Sequence, residues 1–400
     1  MTIDTDVAIV GAGPAGLTAA RRLEQLDIDF VLLSKEEVPC EHKVCGGFMP
    51  SRALKHLGSR EIPGSYPVRS IRMKFPNVEL TTVDFEEPVG INATRKVLGE
   101  AMLRAVSRSS RRVSLASEVQ SVAVASGGCS LSYIRGGEKQ QLNCNILIDA
   151  SGVNAVSAKS GLVRSRIPND GMGYAVQFEM HRSQSMPPFP EANYFLYGSE
   201  FSPRGYAWAF PRGHEMAIGT GGLVTSVQQS QVGLSEYLER ITKNTGFITS
   251  VLEGAEVEKK EAALMPLAGV VRPSFSEHIL LAGDAAGHCS PITGEGIYYS
   301  MIGGDAAGTV AAEAVRERDF SAKFLSRYER LWIGKIGSDL KWGLWLQKRL
   351  VRSGSSGFGS RLLKSEKTTR TIAEMLVGMR SVTSTIKAVL PSYLGSKISG

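Results

Sequence analysis

The fold is decided by a short stretch near the amino terminus, Asp6-Val-Ala-Ile-Val10 followed at once by Gly11-Ala-Gly-Pro-Ala-Gly16. The apolar run predicts a buried parallel strand, and the periodicity after it predicts a helix from Leu17 to about Leu26. Phe30–Leu33 predicts the second strand. A strand, a glycine-rich turn, a helix and a second strand form the opening βαβ unit of a dinucleotide-binding fold.

The three glycines of this unit have separate tasks. Gly11 permits the tight turn, Gly13 lets a pyrophosphate approach the backbone, and Gly16 allows the helix to pack closely on the strand. The helix N-terminus directs its free N–H groups and the positive end of its dipole at the turn. The predicted phosphate contacts are Gly11, Gly13, Pro14, Ala15 and Gly16.

The end of the second predicted strand departs from the usual pattern. An acidic residue normally stands there, about 20 residues after the glycines, and accepts hydrogen bonds from the ribose hydroxyls. Here Ser34 takes that place and is followed by Lys35 and Glu36. A serine hydroxyl offers one such bond and lacks the second acceptor of a carboxylate. We predict nucleotide contacts from Ser34 and Lys35, with Glu36 as the alternative acceptor.

A second glycine motif far downstream identifies the dinucleotide. Residues 279–282 predict a short strand that ends just before Asp284, and Gly294-Glu-Gly296-Ile297 opens a long helix. An aspartate there can accept a hydrogen bond from the ribityl chain of a flavin, and the helix N-terminus can stabilise negative charge at the flavin N1/O2 edge. An NAD enzyme has no use for this second motif, so the pair of motifs specifies FAD. The predicted flavin contacts here are Asp284, Gly294, Gly296 and Ile297.

The two motifs together resemble the hydroxylase branch of the glutathione-reductase-like FAD proteins. Within that branch, residues 5–330 resemble the geranylgeranyl reductase family, whose members reduce prenyl chains of archaeal membrane lipids, chlorophyll precursors or related isoprenoids. Lys43-Val-Cys45-Gly-Gly47-Phe-Met-Pro50 is similar to the family's Lys-Pro-Cys-Gly-Gly segment, with Val44 in place of proline. The resemblance implies that Val44, Cys45 and Gly47 face the flavin.

The most specific feature of the resemblance is Tyr206-Ala-Trp208-Ala-Phe210-Pro211, with Gly219-Thr-Gly221 after seven further residues. It matches the family's Tyr-x-Trp-x-Phe-Pro-(x7)-Gly-x-Gly signature at every fixed position. Strand alternation places the three rings on one face, which would either pack in a core or line a slot. A slot suits a polyprenyl chain, because each buried methylene contributes about 0.8 kcal/mol. The predicted substrate contacts are Tyr206, Trp208, Phe210, Pro211, Gly219 and Gly221.

Three further positions are assigned by the resemblance alone. Arg95 stands where relatives carry an arginine beside the flavin, and Val119 falls where a relative's backbone meets the adenine. Ser151 stands where the family usually has the aspartate of an Asp-Gly motif. In the hydroxylase branch a nicotinamide donor uses these surroundings. The electron donor therefore stays open among ferredoxin, a reduced deazaflavin and NAD(P)H.

Cys45 is the predicted catalytic residue. In the expected reaction the reduced flavin gives a hydride to one alkene carbon, and Cys45 supplies or relays the proton that the other carbon needs. The neighbouring Lys43 favours a reactive thiol, whereas the alternative is a small residue that supports the flavin loop. A reversible pair of Cys45 with Cys289 is a weaker hypothesis. No metal site is expected, because CxxC spacing is absent.

Positive charge is concentrated at the carboxyl terminus. Residues 331–400 hold twelve Lys or Arg against three Asp or Glu, a net +9 in a chain of net +7. No nucleic-acid motif accompanies this charge, so we expect no nucleic-acid partner. Anionic lipid headgroups and plain solvation both account for it. Trp342 and Trp345 on the same predicted helix would either rest on a membrane interface or close the substrate tunnel.

The sequence contains neither a run of 18 apolar residues nor a basic, apolar leader, which favours a cytoplasmic protein with peripheral membrane contact at most. The expected fold is α/β (α+β overall): a Rossmann-type FAD-binding domain of the hydroxylase-like superfamily, an interleaved antiparallel-sheet substrate domain and a helical C-terminus. The expected bounds are 1–75, 90–165 and 270–320 for the FAD-binding domain, 76–89 and 166–269 for the substrate domain, and 321–400 for the basic helical region. Residues 352–359 are expected to form a flexible connector.

The predicted function is FAD-dependent reduction of a geranylgeranyl or other polyprenyl chain, carried by a lipid or a prenyl diphosphate. A flavin monooxygenase or halogenase on the same scaffold is the alternative among enzymes, although the Trp-x-Trp-x-Ile-Pro element of halogenases is absent. A non-catalytic flavoprotein is the alternative outside them. An electron carrier needs no deep apolar slot, which counts against that alternative.

Overall fold

A computed structural model describes residues 2–57, 62–106, 112–125, 127–353 and 365–389 of the 400-residue chain. Its strands form sheets of eight, seven and three strands. In chain order the strands are β1 Thr5–Val10, β2 Phe30–Leu33, β3 Phe48–Pro50, β4 Tyr66–Val68, β5 Ser70–Lys74, β6 Thr81–Asp84, β7 Gly90–Asn92, β8 Val113–Ser114, β9 Ser117–Ala125, β10 Gly128–Arg135, β11 Glu138–Asp149, β12 Met172–Arg182, β13 Ala192–Tyr197, β14 Tyr206–Arg212, β15 Glu215–Leu223, β16 Ala255–Pro266, β17 Phe275–Ser276 and β18 Ile279–Leu281.

The helices lie between these strands and at the carboxyl terminus. They are α1 Pro14–Gln25, α2 Ser51–Leu54, α3 Arg95–Val106, α4 Val156–Lys159, α5 Val224–Gln228, α6 Leu234–Asn244, α7 Gly246–Val251, α8 Ile297–Glu317, α9 Ala322–Leu325, α10 Arg327–Trp332, α11 Ser338–Ser353, α12 Glu366–Leu376 and α13 at 382–389. Short 3-10 turns occur at Asn169–Gly171 and Gly283–Ala286, and a π-helical turn occurs at Ile333–Gly337.

The eight-stranded sheet is the predicted dinucleotide-binding sheet, with the order β17-β18-β11-β1-β2-β8. β1 lies at its centre and pairs in parallel with β11 and β2, and the antiparallel strands β9 and β10 join it through β11. α1 and α8 pack against each other on one face. A Cβ on Gly304 of α8 would lie 2.1 Å from the carbonyl oxygen of Ala15. The run of small residues in α8 therefore allows this close contact.

The predicted elements of this sheet are largely confirmed. The long helix predicted from residue 297 to 315 is observed two residues longer, as α8. α1 begins at Pro14, three residues earlier than predicted, because proline suits the first helical position. Residues 113–125 form two strands, β8 and β9, separated at Ala116, which has φ +50°; β8 pairs with β2, and β9 forms a hairpin with β10.

The seven-stranded sheet has the order β16-β12-β15-β14-β13-β5-β6 and is antiparallel except where β13 pairs with β5. Ala207 and Ala209 of β14 point to a core that contains Leu238 of α6 and Ile248 of α7. The aromatic residues that alternate with them point to the opposite face. The expected domain boundary at residue 75 is too late, because β5 at Ser70–Lys74 already belongs to this sheet. A strand of five residues is too short for its pattern of apolar and polar residues to show which strand it pairs with.

The described parts of the carboxyl-terminal region are mainly helical, as predicted, and are anchored beside the first sheet. Trp332 is fully buried and donates from Nε1 to Ser274 Oγ at 3.2 Å. Thr383 donates from Oγ1 to Asp339 at 2.9 Å, which joins α13 to α11. Of the predicted flexible connector, residues 352 and 353 end α11, and residues 354–359 lie outside the described part of the chain.

Candidate active site

One large cavity lies between the two main sheets. Its volume is about 1370 Å³, and it is lined by the β1–α1 turn, by residues of β12 and β14, and by α11. Pockets for a single drug-sized ligand measure about 300–1,000 Å³. The cavity therefore has room for a large cofactor and a second ligand side by side.

The three glycines of the β1–α1 turn have different surroundings. Gly11 has φ +106°, and a Cβ there would lie 2.4 Å from the carbonyl oxygen of Ala150. A Cβ on Gly13 would meet nothing within 4 Å, because Gly13 faces the cavity. A Cβ on Gly16 would lie 1.9 Å from the carbonyl oxygen of Gly11, so this glycine serves the contact between helix and turn. The turn thus leaves exposed backbone where a phosphate can approach.

The residues predicted to contact the nucleotide gather at this end of the cavity. Ser34 is fixed there by its backbone, which donates from N–H to Ser114 at 3.0 Å and accepts from Ser117 at 2.7 Å. Glu36, the alternative ribose acceptor, lines the cavity as well. The other predicted nucleotide contacts that line it are Gly11, Gly13, Pro14, Ala15, Lys35 and Val119.

The second glycine motif, at Asp284 and Gly294–Gly296, lines the same cavity as the β1–α1 turn. Asp284 follows β18 in a 3-10 turn, and its Oδ2 accepts a hydrogen bond from Lys43 Nζ at 2.9 Å. This carboxylate raises the pKa of the Lys43 amine, so the lysine stays protonated. Gly294, with φ +66°, leads into the start of α8 and lines the same space together with Gly296 and Ile297. A phosphate-accessible turn and a second helix N-terminus on one cavity fit an extended flavin dinucleotide.

The altered Asp-Gly motif, in which Ser151 replaces the usual aspartate, makes hydrogen bonds within the protein. Asp149 is fully buried and accepts hydrogen bonds from the backbone N–H and the hydroxyl of Ser151 at 3.1 and 2.5 Å. It also accepts from Ser157, through its N–H at 2.9 Å and its hydroxyl. Ser151 therefore helps to satisfy a buried carboxylate, and the adjacent Gly152 lines the cavity.

Cys45 lies on the loop between β2 and β3 and lines the middle of the cavity. Gly47, with φ +85°, donates its N–H to Cys45 Sγ at 3.4 Å. The buried guanidinium of Arg95 donates from Nη2 to Cys40 Sγ at 3.6 Å and interacts electrostatically with Cys45. Val44 lines the cavity beside them. The thiol predicted to be catalytic is thus partly exposed to the cavity and contacts one cation and one backbone N–H.

Three aromatic side chains of β14 form the far end of the cavity. Tyr206, Trp208 and Phe210 all line it, and the ring centroids of Tyr206 and Trp208 lie 5.9 Å apart. Phe195 of β13 adds a ring 5.2 Å from that of Phe210. The hydroxyl of Tyr206 donates to the carbonyl of Thr293, so the aromatic end adjoins the turn before α8.

Two predicted substrate contacts lie behind this aromatic surface. A Cβ on Gly219 would lie 2.2 Å from the indole of Trp208, so this glycine makes room for the ring. Pro211 is buried, and its carbonyl accepts a hydrogen bond from Asn92 Nδ2 at 2.7 Å. Both positions support the aromatic end from outside the cavity, whereas Gly221 lines it.

Sequence reasoning missed a buried polar network behind Cys45. Gln177 is 1% exposed; its Nε2 donates to Glu179 at 2.6 Å and to the carbonyl of Cys45 at 3.4 Å. Its Oε1 accepts from Trp208 Nε1 at 3.3 Å. Arg212 pairs with Glu179, whose pKa is raised by burial. The network connects the aromatic end with the Cys45 loop, and nothing in the alternation of β12 distinguishes Gln177 from a solvent-facing polar residue.

The carboxyl-terminal helix α11 forms one rim of the cavity. Trp342 and Trp345 are 42% and 41% exposed, and both also line the cavity. Lys348 on the same helix is exposed, and the guanidinium of Arg349 lies 5.3 Å from the ring of Trp345. Both tryptophans thus line the cavity and are also partly exposed, and the choice between tunnel closure and membrane contact stays a prediction.

His288 and Cys289, which follow the turn at Asp284, are both buried. Cys289 donates from Sγ to the carbonyl of Gly294 at 3.3 Å, and burial raises the pKa of its thiol well above its usual value. His288 accepts a hydrogen bond at Nδ1 from the N–H of Gly283 at 3.2 Å, and burial lowers its pKa to about 3. Cys45 and Cys289 are both free thiols in this structure.

Comparison with known proteins defines the class first. The model of the FAD binding domain family matches residues 4–330, so the chain belongs to that family and is a flavoprotein. A solved structure from Thermoplasma acidophilum, described as geranylgeranyl bacteriochlorophyll reductase-like, is similar with a TM-score of 0.82 and 20% identity, covering 97% of this chain and 99% of that one. A flavin-dependent brominase is similar with a TM-score of 0.76 and 16% identity, covering 99% and 98%.

Curated relatives then define the family within this class. Digeranylgeranylglycerophospholipid reductase 2 of Methanothermobacter thermautotrophicus is 30% identical over 367 residues, covering 90% of this chain and 91% of the relative. Reductase 1 of the same organism is 31% identical over 374 residues, covering 90% of each. The chain belongs to the geranylgeranyl reductase family and is an FAD-dependent oxidoreductase. Within the described ranges, none of the helices has both the length and the hydropathy to span a bilayer.

Proposed function

We propose that this protein saturates the double bonds of geranylgeranyl chains carried by a membrane phospholipid. The observation that carries the proposal is one continuous cavity, which leads from the glycine turn past Cys45 to the aromatic side chains of β14. One end suits a nucleotide, because exposed backbone N–H groups bind phosphate. The other end offers apolar rings to an apolar chain. Cys45 lies between them, where the two ligands would meet.

The cofactor contacts that we propose follow from these positions. Bound FAD, once reduced by the electron donor, would supply the hydride for the reduction. The backbone of Gly11 and Gly13 would hold the pyrophosphate, Ser34 the adjoining ribose, and Asp284 the ribityl chain. The start of α8 at Gly296 would face the N1/O2 edge of the ring. The remaining proposed contacts, taken from the motifs and the resemblance, are Pro14, Ala15, Gly16, Lys35, Val44, Cys45, Gly47, Arg95, Val119, Gly294 and Ile297.

Cys45 is the proposed proton donor. An isolated alkene that accepts a hydride at one carbon needs a proton at the other, and a thiol that faces the cavity can give it. Arg95 and the N–H of Gly47 contact Cys45 and fix its orientation. Gln177 contacts the carbonyl of Cys45 and the indole of Trp208 at once, so it ties the donor to the substrate surface.

The proposed substrate class is a phospholipid, which is what the names of the curated relatives describe. Tyr206, Trp208, Phe210 and Gly221 would contact its prenyl chain. Pro211 and Gly219 would act indirectly, by supporting these rings. Geranylgeranyl diphosphate offers one such chain without the second prenyl chain and the glycerol, so a comparison of the two substrates tests this part of the proposal.

The rim of the cavity supports peripheral membrane contact. Trp342 and Trp345 at this rim expose about two fifths of their surface, with Lys341 and Lys348 exposed beside them. Tryptophan favours the headgroup region, and each basic residue near an anionic surface contributes about 1 kcal/mol. Vesicles with and without anionic lipid provide the test. Trp342→Ser with Trp345→Ser should weaken sedimentation with anionic vesicles, whereas unchanged sedimentation would remove α11 from the contact.

The function is tested by turnover on a substrate panel. The FAD-loaded protein is kept reduced with dithionite under anaerobic conditions and given a digeranylgeranyl phospholipid or geranylgeranyl diphosphate in detergent. We expect product masses that rise in steps of two hydrogens, with faster turnover of the phospholipid. Equal rates would overturn the phospholipid assignment, and no mass gain with either substrate would overturn the reductase.

The electron donor is tested in the same preparation. Reduced ferredoxin, a reduced deazaflavin and NADPH each replace dithionite, and the bleaching of the flavin absorbance is followed. The natural donor class is the one that reduces the flavin within the turnover time. This measurement needs no prenyl substrate, so its outcome does not depend on the phospholipid assignment.

A further inference from the structure

Glu295 is a charged residue at the cavity that the reaction described above does not use. It stands between Gly294 and Gly296 at the start of α8 and lines the cavity. Its side chain is 14% exposed, and Oε2 accepts a hydrogen bond from Arg52 Nη2. Its other oxygen, Oε1, is buried and has no hydrogen-bond partner in the described part of the chain. The carboxylate therefore lies at the wall of the proposed flavin site, with Arg52 as its ion-pair partner.

Arg52 is held independently of this contact. Its guanidinium carbon lies 4.2 Å from the ring centroid of Tyr298 and 5.4 Å from that of Tyr299, both on the first turn of α8. The pair is largely shielded from water, with 24% of the Arg52 side chain exposed. An ion pair so placed keeps its geometry and is weakly screened by salt.

We propose that Glu295, held by Arg52, sets the reducing power of the bound flavin. The inference rests on the proposed function, which directs the N1/O2 edge of the ring to the turn at Gly294–Gly296. Reduction adds negative charge at that edge, and a nearby carboxylate opposes it. The reduced cofactor is then a stronger hydride donor. A prenyl double bond lacks an electron-withdrawing neighbour, so it demands such a donor.

Several charges act on this turn, and their signs decide the net effect. The N-terminus of α8 and Arg52 are positive and favour the reduced flavin, whereas Glu295 opposes it. Asp339 is the further acid that acts on Glu295. Burial raises the pKa of Glu295, and Arg52 counteracts that rise. The ion pair with Arg52 thus opposes the loss of the Glu295 charge that burial favours.

The test is the midpoint potential of the bound FAD, measured by anaerobic redox titration. Glu295→Gln should favour flavin reduction by about tenfold or more, which is a rise of about 30 mV for a two-electron couple. The matched control is Glu313→Gln on the same helix, whose partner Arg327 lies 3.5 Å away at the surface. Position 313 is about 25 Å further along α8. The control should leave the potential unchanged.

A second variant covers the case in which Glu295→Gln does not fold. Arg52→Gln leaves the buried carboxylate without its partner, so Glu295 should take up a proton at a higher pH than in the wild type. The midpoint potential should then depend more steeply on pH than that of the wild type. Equal potentials for Glu295→Gln and Glu313→Gln, with FAD bound and prenyl reduction intact, would overturn this inference alone. A shifted potential in a protein that reduces no prenyl chain would overturn the proposed function alone.

Discussion

The two ends of the cavity are built in different ways. The nucleotide end is formed by the backbone of consecutive residues, in the turn between β1 and α1 at Gly11–Gly16. The aromatic end is formed by side chains from separate elements, such as Trp208 on β14, Gln177 on β12 and Trp345 on α11. A site made of backbone tolerates almost no added atom, whereas a site made of side chains can repack. The two ends should therefore respond differently to substitution.

The largest effect is expected at the nucleotide end. Gly11→Ala would place a Cβ 2.4 Å from the carbonyl of Ala150 at φ +106°, so the variant should lose both FAD and thermal stability. Gly13→Ala faces open space and should lose FAD while it folds normally. Gly233→Ala, also without neighbours within 4 Å, is the control and should change neither. The flavin-to-protein absorbance ratio and the Tm check this, and normal FAD content in Gly11→Ala would contradict it.

Cys45→Ala should show the next largest effect, and only on turnover. Removing a proton donor typically costs about 10²–10⁴-fold in rate. The variant should keep its FAD, because the thiol is one contact among many. The control is Cys129→Ala, a fully buried thiol that faces Cys144 in the first sheet; its turnover per bound flavin should be normal. Normal turnover in Cys45→Ala would remove this thiol from the proton path.

A smaller effect is expected at the aromatic end. Trp208→Ala removes a ring that lines the cavity, and a buried large apolar side chain is worth about 1.5–3 kcal/mol. The KM for the prenyl substrate should rise by about tenfold to hundredfold, since each 1.4 kcal/mol is a factor of ten. Trp208→Phe keeps most of the apolar surface, so its KM should lie between that of the wild type and that of Trp208→Ala. Loss of FAD in Trp208→Ala would show that the two ends are not independent.

The smallest effect is a pH dependence of folding stability, caused by the buried His288 that follows the turn at Asp284. Burial lowers the pKa of His288 to about 3, while an unfolded histidine titrates near 6.5. The unfolded state therefore binds a proton that the folded state does not, and stability falls as pH falls below about 6.5. As the pH falls from 7.5 to 5.0, this histidine should lower the free energy of unfolding by about 2 kcal/mol.

His288→Asn tests that value in urea unfolding at the two pH values. Asparagine can still accept the hydrogen bond from Gly283, but it does not titrate. The variant should therefore be less sensitive to acid than the wild type, whatever its stability at pH 7.5. The same acid sensitivity in both proteins would show that other groups cause the loss.

The difference between the two ends also explains how much the sequence could predict. The spacing of Gly11, Gly13 and Gly16 is local, so the βαβ unit followed from one short stretch, and FAD followed from that stretch together with the second motif at Asp284 and Gly294–Gly296. Gln177 could not be identified, because its partners Cys45 and Trp208 lie in other elements and only the sheet pairing brings them together. A side-chain site depends on tertiary contacts that no local pattern encodes.

The same reason accounts for the positions that the structure places away from the cavity. Pro211 and Gly219 belong to the matched signature, yet one is buried behind the sheet and the other makes room for an indole ring. A motif shows which positions matter and does not show whether they touch a ligand. The boundary at residue 75 failed because β5 has only five residues, too few for alternation to reveal its partner.

The most direct test of the account is a single anaerobic turnover. The FAD-loaded protein is reduced with one equivalent of dithionite, mixed with a digeranylgeranyl phospholipid, and followed by flavin absorbance and product mass. We predict that each flavin reoxidised without oxygen yields one double bond saturated, a gain of two hydrogens. Reoxidation that occurs only when oxygen is admitted, with peroxide or a hydroxylated product, would contradict the account and make the enzyme an oxygenase.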